Sequence, residues 1–191
     1  MGDRELTWDA CLRALMGRPD PRPVPDTRYY QLFLSPTFHM KACIEVEETS
    51  GCVALALVIL RDRDALNAVA GGLYLQGAVW PVPAELAKAA CWEDILIPPP
   101  EQQAHFRRAC DEVDPWGLRE HDPGAERDGI GLVLRCEAPG RSHTVRMHSP
   151  TRQHAPRHHR WVTSLVDMAA ACCREQPSAD YLASLGPYFR P

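Results

Sequence analysis

The densest concentration of chemically versatile side chains lies between residues 138 and 166. Five arginines (Arg141, Arg146, Arg152, Arg157, Arg160) and five histidines (His143, His148, His154, His158, His159) fall there, with no acid among them. The rest of the chain carries 16 basic and 25 acidic residues, so this stretch sets up a real polarity within a net charge of −4. Such a segment can hold an anion, a phosphate backbone or an acidic protein surface. It can equally serve as internal counter-charge to the molecule's own acids. Nucleic acid is the weakest of these readings. Binding domains of that kind are usually strongly basic overall, and no aromatic interrupts the stretch before Trp161 to stack on a base.

Metal chemistry is also poorly served. His154 and His158 are four apart, but the residues between them are Ala155-Pro156-Arg157 rather than the H-E-x-x-H pattern of a zinc helix. Proline breaks the regular helix that would align the pair, and the arginines repel a cation. No G-x-S-x-G elbow marks a nucleophilic serine, and no glycine-rich phosphate loop occurs. Acid clusters at Asp111-Glu112-Asp114 and Glu120-His121-Asp122 fall at a helix end and in a polar loop, where solvated carboxylates are usual. The eight cysteines contain no C-x-x-C pair and sit mostly among aliphatic residues, so they read as buried free thiols in a reducing compartment. Of the five tryptophans, Trp116 stands apart. It lies in Asp114-Pro115-Trp116-Gly117, a turn sequence that can leave an aromatic anchor at the surface.

These side chains must be placed by a modest set of elements. The 191 residues suit one domain, expected to span 1–191, and a hydrophobic fraction of 45% is enough for a core. Residues 6–16 read as a short helix ended by Gly17. A Pro-rich connector follows at 17–26, with proline at every second position from 19 to 25. Strands are expected at 29–35, 39–48 and 51–61. Met40, Ala42, Ile44 and Val46 alternate with Lys41, Cys43, Glu45 and Glu47 in the second. The third is apolar throughout, which suits a central strand covered on both faces. Asp62 can cap a brief helix ending at Gly71-Gly72. Further on, 73–80 can be a strand and 83–92 a helix.

Pro98-Pro99-Pro100-Glu101 opens a helix whose face is Phe106, Ala109, Cys110 and Val113. Strands at 130–137 and 141–148 flank the turn Ala138-Pro139-Gly140. A helix from about Pro156 carries the stripe Trp161, Leu165, Met168, Ala169 and Cys172. A last helix takes Ser178 as its N-cap and Gly186-Pro187 as its stop. Strands first, then helix, hairpin and terminal helices give an α+β fold: a mainly antiparallel sheet packed with N-terminal and C-terminal helices.

Without an assembled catalytic set, the chain reads as a non-catalytic protein-binding module that uses no cofactor and no metal. A toxin-neutralising protein of the bacterial immunity type is one concrete form. Its expected contact residues are Arg141, Arg146, His148, Arg152, His154, Arg157, His158 and Trp116, facing a partner protein with an acidic surface. The alternative is a sensor or enzyme for a small anion, built on the His/Arg-rich segment 141–160. The longest apolar run, 52–60, is far shorter than the ~20 residues that span a bilayer. The polar start lacks a secretory pattern, so a cytoplasmic location is expected.

Overall fold

The computed structural model describes residues 24–61, 91–121 and 128–189. The expected helix at 6–16, most of the Pro-rich connector and the readings over 62–90 lie outside these residues.

Six strands form one antiparallel sheet: β1 Arg28–Pro36, β2 Ala42–Glu48, β3 Val53–Leu60, β4 Cys91–Leu96, β5 Ile130–Ala138 and β6 Arg141–His148. Their spatial order is β4-β3-β2-β1-β5-β6. The two-residue period sends alternate side chains to opposite faces, and the register aligns them across strands. Leu32 lies opposite Ile44 on one side and Leu134 on the other; Ile44 is opposite Leu57, and Leu134 opposite Val145. This row belongs to the core face. Helices α1 Pro100–Val113, α2 Pro156–Cys172 and α3 Gln176–Ser184 supply the other side of the core, followed by the single turn α4 Gly186–Phe189.

The helical faces expected from periodicity are the ones buried. Phe106, Ala109, Cys110 and Val113 point inward from α1, as do Trp161, Leu165, Met168 and Ala169 from α2, with Cys172 half-buried at the edge. Tyr30 is the hub. Its ring meets Phe106 at 5.6 Å and Trp161 at 5.4 Å, both edge-on, a geometry that suits the aromatic quadrupole. The β5–β6 turn needs a left-handed residue, and Gly140 supplies it at φ 70°.

β3 is an interior strand, paired with β2 on one side and β4 on the other, as expected; Val58 and Leu60 are buried on its outer face, and only Ala54 and Ala56 there are half-buried. Three expectations need correction. Cys91 and Trp92 lie in β4, so a helix over 83–92 fails at its end, where pairing with Leu60 and Ile59 outweighs helical propensity. The second strand starts at Ala42 because His39 turns aside to hydrogen-bond the Tyr188 hydroxyl at 2.9 Å. Finally, α3 starts two residues before Ser178. Pro177 fits the first turn, Glu175 takes the N-cap position, and Ser178 is buried inside the helix.

Candidate functional site

The residues of the His/Arg-rich segment come from β6, the loop after it and the first turns of α2. Opposite them runs the connector that leaves α1. Asp114 ends that helix in the left-handed conformation at φ 49°, and Pro115–Gly117 forms one tight turn. The chain then passes beside β6. The amide of His121 donates to the Arg146 carbonyl (3.1 Å), and the amide of His148 donates to the His121 carbonyl (3.0 Å). The outer edge of β6 is thus partly covered by its own chain.

Several of the candidate side chains hold this connector in place. Arg157 donates through Nε (3.1 Å) and a terminal nitrogen (2.5 Å) to the Val113 carbonyl, and that nitrogen also reaches the Asp114 carbonyl at 3.4 Å. These are orphan acceptors at a helix C-terminus, where a cation is favoured. His158 Nε2 hydrogen-bonds the Arg119 carbonyl at 2.7 Å, and His143 Nε2 the Leu118 carbonyl at 2.9 Å. Because a carbonyl can only accept, each imidazole donates there. Arg141 lies over the Trp116 ring at 4.5 Å, a cation–π contact, while Trp116 packs half-buried against Tyr30. Arg146 faces Glu120 at 3.9 Å, and Arg160 pairs with Glu112.

The remaining three candidates stand elsewhere. Among the described residues the His148 Nε2 atom is buried without a hydrogen-bond partner, against Gly129, where an added Cβ would meet it. Arg152 and His154 are exposed in the loop before α2. The structure therefore gathers Trp116, Arg141, Arg146, Arg157 and His158 around one connector and leaves Arg152 and His154 outside it.

The electrostatics of the cluster follow from its crowding. Burial pushes the His158 pKa down; the Arg119 carbonyl opposes this, and the nearby His121 and Arg157 add to it. The rings of His121 and His158 lie 5.6 Å apart. Among the described residues, no three His, Cys, Asp or Glu side chains converge to hold a metal ion. The seven described cysteines are all free; Cys43, Cys91, Cys110 and Cys136 are buried as expected, whereas Cys52 is exposed and Cys172 and Cys173 are half-buried at the end of α2.

Two features escaped the sequence reading. One is the outer face of β4 and the residue just past its end, where Ile95 and Ile97 are 72% and 71% exposed, with Trp92 also at the surface beneath the Arg61 guanidinium. Their alternation was visible in the sequence, but not that this strand forms an edge of the sheet among the described residues. The other is a cleft of about 510 Å³ between Arg28, Glu48, Thr49 and Arg107. Glu48 sits between the two arginines, at 3.8 Å from Arg28 and 3.5 Å from Arg107. With Asp26 also lining it, the cleft balances two cations against two acids and selects neither sign of ion.

Comparison of the chain with protein-family models, with curated proteins and with solved structures finds no match.

Proposed function

We propose that this chain is a non-catalytic protein-binding module, acting in the cytoplasm, of which a toxin-neutralising protein is one form. The observation that carries the reading is the pair Ile95, in β4, and Ile97, one residue past its end, both exposed at the edge of the sheet that the described residues form. Natural sheets protect such edges with charge, covering segments or short strands. At the β6 edge the chain does this with the 118–121 connector and with Arg146. At the β4 edge it leaves two large aliphatic side chains in water, beside the shallow floor of Ala54 and Ala56. Covering the two isoleucines contributes about 1.5–3 kcal/mol each, a sufficient anchor for a partner.

The arginine-rich surface supports the reading less well than its composition suggested, because Arg157, His143 and His158 are turned to backbone carbonyls of the same chain. The anion-sensor alternative loses the same groups. It retains Arg152, which lines a groove beside α2.

The test is parallel capture from native lysate by wild-type protein, by Ile95→Lys/Ile97→Lys and by Arg146→Glu/Arg152→Glu, with folding checked by circular dichroism. The expected result is one stoichiometric protein held by the wild type and the arginine variant and lost from the isoleucine variant. Equal capture by the isoleucine variant, or no protein held by any of the three, refutes the proposal.

A further inference from the structure

A groove of about 430 Å³ runs between α2 and the α3–α4 pair, away from the connector and from β4. On the α2 side its wall is His159, Thr163, Val166, Ala170 and Cys173. The spacings from the first, 4, 7, 11 and 14, place them in one line along the helix, about 21 Å long at 1.5 Å per residue. On the other side stand Ala179, Leu182, Ala183 and Phe189. The small side chains of Ala170, Ala179 and Ala183 leave the space unfilled, and its size falls within the range of small-molecule sites.

The polar groups of the groove are few and unequally placed. His159 is 4% exposed, with its Nε2 committed to the Phe189 carbonyl at 2.9 Å, so it fixes the wall. Arg152 stands before the first turn of α2. Its guanidinium has no ion-pair partner among the described residues. The helix starting beside it has neither an acid in its first turn nor a side-chain cap, so nothing there competes for an anion. Asp167 lies eight residues beyond His159, about 12 Å further along the helix. Burial raises its pKa, while His105 and His159 act in the opposite sense. The groove therefore carries its cation, Arg152, at one end and Asp167 partway along, with Val166, Ala170, Leu182, Ala183 and Phe189 supplying its apolar lining.

We infer that this groove binds a small amphipathic carboxylate, its head group on Arg152 and its aliphatic chain along Val166, Ala170, Leu182 and Ala183. The site is independent of the Ile95/Ile97 surface and stands or falls on its own.

Octanoate is the probe, with octanol and octylamine as controls for the head group. Binding to the full chain is followed by titration calorimetry and by the rise in Tm. Octanoate is expected to bind saturably, and the controls at least about tenfold more weakly. A charge-assisted hydrogen bond contributes about 1.5–3 kcal/mol, which corresponds to tenfold or more. Arg152→Gln is expected to lower octanoate affinity by about tenfold and to leave octanol unchanged. Ala183→Trp, at an exposed position, fills the groove and abolishes both. Ala170→Trp does the same from α2 and serves if the first variant is misfolded. Absence of saturable octanoate binding at concentrations on the order of 10 mM overturns the proposal. Octanoate binding unaltered by Arg152→Gln, or by both tryptophan variants in folded form, also overturns it.

Discussion

Replacing Arg157 with methionine distinguishes a structural clamp from a free docking charge. The native guanidinium satisfies the Val113 carbonyl twice and touches the Asp114 carbonyl, at the C-terminus of α1. Methionine keeps the aliphatic stem and removes the donors. A hydrogen bond to a charged group contributes about 1.5–3 kcal/mol, and a cation at a helix C-terminus about 0.3–1 kcal/mol. Arg157 is otherwise solvent-exposed, so screening and residual hydration of the freed carbonyls reduce the expected loss to about 1–2 kcal/mol. For a chain of this size that lowers Tm by about 2–8 °C. Urea unfolding followed by tryptophan fluorescence measures it directly. The internal control is Arg152→Met, a neighbouring arginine with no such partner, expected to change stability by less than about 0.5 kcal/mol. If both variants lose the same amount, the connector is not held by Arg157.

Two further outcomes follow from the burial of titratable groups. His158 has its pKa lowered by burial, so below the unfolded value of about 6.5 the unfolded chain binds more protons than the folded one. Stability is then full above about pH 6.5 and falls as pH drops towards the folded pKa; His158→Gln should flatten the urea-measured slope between about pH 7.5 and 5, and an unchanged slope would falsify the assignment. Native-state alkylation with iodoacetamide should modify exposed Cys52 and spare Cys43, Cys110 and Cys136, since all three are buried and burial pushes the Cys110 thiol up to about 12. Peptide mapping that finds Cys110 or Cys136 modified as fast as Cys52 would contradict the packing around Tyr30.

Much of the fold was legible because its signals are local. Phe106, Ala109, Cys110 and Val113 recur with the helical period, and any amphipathic helix must bury such a face. The β5–β6 hairpin was equally plain, since Ala138-Pro139-Gly140 contains the one residue type that accepts the left-handed turn conformation without strain. The cap expected at Ser178 failed because a stronger signal stands one residue before it. Pro177 opens α3 before Ser178, because the fixed φ of proline favours the first turn more than the Ser178 hydroxyl favours a cap there.

What composition determined by itself is that an acidic chain concentrates its positive charge in one stretch. Where that charge points is a different kind of fact. Arg157 meets Val113 across 44 residues of sequence, His158 meets Arg119 across 39, and His143 meets Leu118 across 25. Each pairing exists only because the sheet and α1 bring the connector alongside β6 and α2. The same holds for Ile95 and Ile97, whose alternation marks a strand but not an edge. Strand order depends on which distant segments pair, and only the assembled sheet decides which isoleucines are left in water.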